Sequence, residues 1–106
     1  MSQNPLDVYK EYDPKIIECY RSLQDLTYGK GALTSKFKLL IALAIDVEQG
    51  ATQGAVALGQ RAMALGASKE EIVEALRVAY QIGGNRALFT SAQVLQTLFK
   101  QEKPNP

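Results

Sequence analysis

The sequence predicts an all-α protein of five or six helices, and two observations carry that expectation. Apolar residues recur three and four positions apart in segment after segment. Between these segments stand the residues that start and stop helices: Asp13-Pro14, Thr34-Ser35 and Ser68-x-x-Glu71 at the starts, and glycines at the ends.

Each element follows in order. Asn4-Pro5 opens a short helix through Tyr9. Asp13 then Pro14 starts the first long helix, a capping carboxylate followed by proline where its missing N–H costs nothing. Ile16, Tyr20, Leu23 and Leu26 continue at helical spacing, and the Gly-Lys-Gly at 29–31 ends the helix. Thr34 or Ser35 starts the next, which runs to about Gln49 and stops at Gly50. Leu39 to Ile45 is apolar on every side, so this helix is expected to be central and the most buried. Thr52 is expected to cap a helix ending at Gly66, whose small residues (Gly54, Ala55, Gly59, Ala62) let neighbouring backbones approach. Ser68 and Glu71 form a capping box, Ile72, Leu76 and Ala79 the buried stripe behind it, and Gly83-Gly84 the stop. Asn85 is expected to cap a last helix with Leu88, Ala92, Leu95 and Phe99 along one face. The tail 101–106 is expected to fray. The whole chain, 1–106, reads as one domain with its core in 33–99.

The two central hairpins echo one another. Ser35, Lys36, Leu39, Leu40, Ala42, Leu43, Ile45 and Gly50 find Ser68, Lys69, Ile72, Val73, Ala75, Leu76, Val78 and Gly83 at a constant offset. Duplication of a helical hairpin accounts for this. So does the simple likeness of any two capped amphipathic helices.

Composition excludes several functions. Hydrophobic residues make up 46% of 106, enough for a packed core. A net charge of +1 offers no field to draw nucleic acid or an anionic membrane. A helix-turn-helix rhythm in AMALGASKEEIVEAL would turn Glu70, Glu71 and Glu74 toward phosphates, which they repel. With no histidine and one cysteine, the chain cannot build a zinc site of the usual ligands, a serine–histidine–aspartate triad or a cysteine–histidine pair. No metal and no cofactor is expected. The lone Cys19 fits a reducing compartment, the N-terminal residues are polar where a signal peptide is apolar, and Leu39 to Ile45 is too short to span a bilayer. The expected location is the cytoplasm.

The stretch 33–88 resembles the carboxymuconolactone decarboxylase family, which includes the alkylhydroperoxidase D-like proteins. Members read roughly K-x-x-E-L-I-A-L-A, a glycine followed by C-x-x-C-x-x-x-H, A-x-x-x-G-A-[ST]-x-E-E-I and a glycine-rich turn. Here stand Lys36, Leu40-Ile41-Ala42-Leu43-Ala44, Gly50, Ala62, Gly66-Ala67-Ser68, Glu70-Glu71-Ile72 and Gly83-Gly84. The resemblance implies the alkylhydroperoxidase D-like helical bundle, and a homotrimer or homohexamer. In redox-active members paired cysteines sit at a helix N-terminus, where the dipole lowers a thiol pKa, and glutamate and histidine relay protons. Those four positions hold Leu39, Ala51, Gly54 and Leu58. All four are lost together, so the resemblance implies the fold without its thiol chemistry. Lacking histidine, the chain also departs from the pattern of the family's lactone decarboxylases.

What remains is sparse. Cys19 lies near the apolar stripe of the first long helix and is expected to be buried; exposed and beside a cation, it would instead be a candidate peroxidatic thiol. Asp46 shares the helix face of Leu39 and is a candidate displaced acid or base, against the plainer expectation of an ion pair with Arg61. Arg61, Gln53, Asn85 and Arg86 are polar candidates for lining a cavity, the last two as an anion seat at a helix N-terminus. Tyr80 and Phe89 are expected in the core or at a subunit interface. The expected function is a non-redox helical homo-oligomer that binds a small ligand or serves as a scaffold. The alternative is an enzyme of altered mechanism, decarboxylase-like or a single-cysteine peroxidase, using Asp46 or Cys19.

Overall fold

A computed structural model of the chain describes residues 4–100. They form α-helices α1 (Tyr9–Tyr12), α2 (Pro14–Tyr28), α3 (Ser35–Glu48), α4 (Thr52–Ala64), α5 (Lys69–Gly83) and α6 (Asn85–Phe99), with a 3-10 turn over Pro5–Val8. No strand occurs among the described residues. The tail 101–106, expected to fray, lies outside them. Two compact units result, one up to Lys30 and one from Gly31 onward.

In the first unit Asn4 starts the 3-10 turn, its Oδ1 accepting from Leu6 N at 2.9 Å. The turn runs directly into α1, so the short helix expected from Asn4 to Tyr9 extends to Tyr12. Pro14 is the first residue of α2. Asp13 sits at the capping position, but its side chain makes no capping bond.

In the second unit α3 and α4 form one antiparallel hairpin and α5 and α6 the other. Lys36 meets Glu71 near the starts of α3 and α5, and Glu48 meets Gly83 near their ends, so these two helices run parallel. Thr34 Oγ1 caps α3 through Phe37 N at 3.1 Å. The capping box of α5 is present: Glu71 N donates to Ser68 Oγ, and Ser68 N to Glu71 Oε1, each at 3.0 Å. Ile72, Leu76 and Ala79 are its buried stripe, as the spacing predicts. Leu43, Val47, Ile72 and Val94 are fully enclosed. Each such aliphatic side chain stabilises the fold by about 1.5–3 kcal/mol relative to exposure.

Three expectations are corrected here. First, α3 is not enclosed all round. Leu39, Leu40, Leu43 and Val47 face the core, while Phe37, Ile41 and Ile45 stand 54%, 48% and 52% exposed. The neighbours of α3 in this unit (α4, α5 and α6) leave that second side open. Second, neither Thr52 nor Asn85 caps its helix. Each is already the first helical residue, behind Ala51 and Gly84 respectively. Thr52 instead donates to Gln93 Oε1 on α6 at 3.0 Å. Third, α6 buries a different face: Ala87, Thr90, Ser91, Val94 and Leu98, with Leu88 44% exposed. The reason is close approach. A Cβ at Gly59 would lie 2.9 Å from Leu98 Cδ1, so the missing side chain on α4 makes room for Leu98 of α6 and turns that face inward. Tyr80 and Phe89, expected in the core or at a subunit interface, are 42% and 67% exposed in the single chain, so of the two places the core is excluded.

The hairpin echo survives in outline and slips by one residue at the turns. The positive-φ glycines at the two hairpin turns are Gly50 (φ +78°) and Gly84 (φ +79°), whereas the sequence match pairs Gly50 with Gly83. Gly83 serves packing instead. A Cβ there would lie 2.8 Å from Glu48 Cγ, so its absence lets the end of α5 rest on the end of α3.

Candidate functional site

The four positions that match the family's redox residues lie on α3, on α4 and in the turn between them. Leu39 is buried on the inner face of α3, Ala51 is the cap residue of α4, Gly54 its third residue, and Leu58 is half-buried one turn further. No ionisable or nucleophilic group stands at any of them. The space is partly refilled from α3. Asp46, two turns along from Leu39 on the same helix, lies against Gly54, and a Cβ on Gly54 would come 2.5 Å from Asp46 Oδ2. A side chain at position 54 and the present place of the Asp46 carboxyl therefore exclude one another.

Asp46 is half-buried, and burial pushes its carboxyl above the usual carboxylate range. The last turn of α3 disfavours a negative charge there and the first turn of α4 favours one, so the two helix ends oppose and desolvation decides. The result is a carboxyl that holds its proton to higher pH than usual, a property an acid or base needs.

The remaining candidates are scattered. Arg86 Nη2 donates to the Glu48 carbonyl at 2.9 Å and lies over Gly50, closing the C-terminus of α3 instead of holding an anion. Gln53, Arg61 and Asn85 are exposed on their helices. Cys19 is exposed on α2, contrary to the expected burial. Its neighbour Tyr20 is also open, at 46%, because the apolar residues of α2 (Ile16, Leu23 and Leu26 among them) are not enclosed. No cluster of three potential metal ligands occurs among the described residues. No described helix is long and apolar enough to cross a membrane.

One concavity was not foreseen from the sequence. The open side of α3 and the adjoining side of α5 form a groove of two lobes, about 420 and 370 Å³, which share Ile41, Ala44 and Val78. Phe37 and Leu40 line one lobe, with Glu71 and Glu74 at its edge; Ile45, Ile82 and Glu48 line the other. None of Asp46, Arg61, Gln53, Asn85 and Arg86 lines it. Its signal was present in the sequence as Phe37, Ile41 and Ile45, four apart. The run around them was apolar throughout, and so read as core.

Glu71 links the groove to the fold. One oxygen accepts from Ser68 N, and the other pairs with Lys36 Nζ at 3.2 Å. The Ser68 N–H and then Lys36 hold its carboxyl below the usual range.

This arrangement has a close structural counterpart. The crystal structure of apo-lpg0406, a carboxymuconolactone decarboxylase family protein from Legionella pneumophila, superposes with a TM-score of 0.84. It is 28% identical, over 92% of this chain and 88% of that one. Comparison with curated proteins finds no match. The model of the carboxymuconolactone decarboxylase family matches residues 14–97, from the start of α2 nearly to the end of α6, and the chain belongs to that family.

Proposed function

We propose that this chain is a non-redox member of its family: a homo-oligomer that binds a small, largely apolar ligand in the groove between α3 and α5. The observation that carries this reading is the groove itself, whose floor is aliphatic and aromatic where a helix surface facing water is ordinarily polar. The loss of every side chain needed for the paired-thiol cycle supports the non-redox part. Association is supported by apolar residues outside the groove, Leu23 (61% exposed) and Leu26 (79%) on α2 and Phe89 (67%) on α6, in a chain too small to bury much of its own surface. A trimer or hexamer is the assembly the family resemblance implies, and the lone cysteine and polar N-terminal residues support a cytoplasmic place.

Two measurements test this. Sedimentation at micromolar concentration is expected to show an oligomer; a monomer refutes the assembly. Nile red is expected to brighten with the wild type and not with Val78→Asp, which puts a charge on the shared floor of both lobes. Equal response of the two proteins refutes the groove.

A second reading rests on Asp46, whose carboxyl occupies the space beside Gly54 and keeps its proton to raised pH. It makes the chain an enzyme of altered mechanism in which Asp46 moves a proton, as a decarboxylase requires. Release of carbon dioxide from a carboxylated lactone, abolished in Asp46→Asn, favours this reading. No release by the wild type goes against it.

A further inference from the structure

The groove's charge selects among apolar ligands. We infer that it takes a cation on a single alkyl chain, an alkylammonium, with the chain along α3 and the charged head at the Phe37 end. This rests on the reading of the groove as a ligand site and adds the ligand's class.

Three observations carry it. The ionisable residues that line the two lobes are Glu71, Glu74 and Glu48, all carboxylates. They are not equivalent. Glu71 is engaged by Lys36 and Ser68 N, and Glu48 packs along Gly83 at the far end. Glu74, one turn after Glu71 and exposed, is left as the carboxylate that can meet a ligand's charge. The same lobe is lined by Phe37, an aromatic residue 54% exposed. A ring face and a carboxylate together recognise an ammonium, and most favourably one without N–H groups that demand hydrogen bonds.

The shape agrees. From Phe37 to Ile45 α3 advances eight residues, about 12 Å at the helical rise. The floor along that length, Leu40, Ile41, Ala44 and Val78, offers an alkyl chain no polar partner to satisfy. An anionic head at the same place would face the unengaged carboxylate of Glu74 and be repelled. A second copy of the chain seated in the groove is the competing occupant, and the test separates it.

The test compares three probes of equal chain length: decyltrimethylammonium, decanol and decyl sulfate. Each is titrated calorimetrically below its micellar concentration, in the range where circular dichroism stays helical. The expected order is decyltrimethylammonium tightest and decyl sulfate weakest, with the cation preferred over the anion by about tenfold or more, as one charge contact at a partly exposed site provides. Glu74→Gln is expected to shrink that preference while leaving decanol unchanged, and raised salt to do the same. Val78→Asp should abolish decanol binding. If all three probes bind alike and Val78→Asp removes them, the cation is wrong and the apolar site stands. If none binds to the wild type and Val78→Asp dissociates the oligomer, the groove is a subunit interface, and both readings fall.

Discussion

Asp46 and Gly54 account for one another. The carboxyl occupies the volume that any side chain at 54 would need, and burial there raises its pKa. The sign of the effect on stability follows. An unfolded chain ionises Asp46 near its ordinary value of 3.8, whereas the folded chain keeps the proton to higher pH. The native state therefore binds more protons through that window, and stability falls as pH rises through it, the loss being complete above the folded pKa. Asp46→Asn should thus be more stable than wild type toward urea at pH 7, and the difference should vanish at pH 3. Gly54→Ala should push the carboxyl out into water. Its NMR titration is then expected to move down toward the ordinary value, and the helix to gain about 0.5–1 kcal/mol from replacing glycine. An unshifted titration would contradict the contact.

The elements owe their ends to a few polar contacts. Glu71 serves two at once, closing the α5 capping box and pairing with Lys36 of α3. Its pKa is lowered, so this contribution is complete above its ordinary value of 4.5 and is lost as pH falls through the folded value. Glutamine can fill the same capping box without the charge. Glu71→Gln should therefore keep the α5 helix, melt lower than wild type at neutral pH, and melt alike at pH 2–3. Gly84, at φ +79° and ψ −156°, lies in a region open essentially to glycine alone. Gly84→Ala should cost about 1–3 kcal/mol, read from urea unfolding.

These elements also show what a sequence makes legible. The capping box, the Ile72–Leu76–Ala79 stripe and a helix start at Thr34 or Ser35 were readable because each is local, set by residues within one or two turns. The resemblance named the residues at the family's redox positions, which lie on α3, on α4 and in the turn between them. The buried face of α6 was not readable, because it is chosen by the approach of α4 at Gly59, which is remote in sequence. The open side of α3 was hidden for the same reason: how many neighbours surround an apolar helix is a property of the packing. Cys19 was misplaced because the apolar residues of α2 are exposed, contrary to the ordinary expectation for a stripe.

For the molecule as a whole, the proposal is that this family's helical framework is kept without its paired-thiol chemistry. The framework needs the capped hairpins, the glycine approaches and the enclosed Leu43, Val47, Ile72 and Val94. None of these depends on the cysteine pair, the histidine or the glutamate, so the fold tolerates their loss. The paired-thiol cycle does not, because it needs a peroxidatic thiolate, a resolving thiol and a proton relay where this chain has Ala51, Gly54, Leu58 and Leu39. The most direct measurement is peroxide consumption with dihydrolipoamide as reductant, on the wild type and on Cys19→Ser. The account predicts no turnover above buffer by either protein. Robust turnover by the wild type would contradict it; loss of that turnover in Cys19→Ser would make the exposed thiol on α2 the nucleophile.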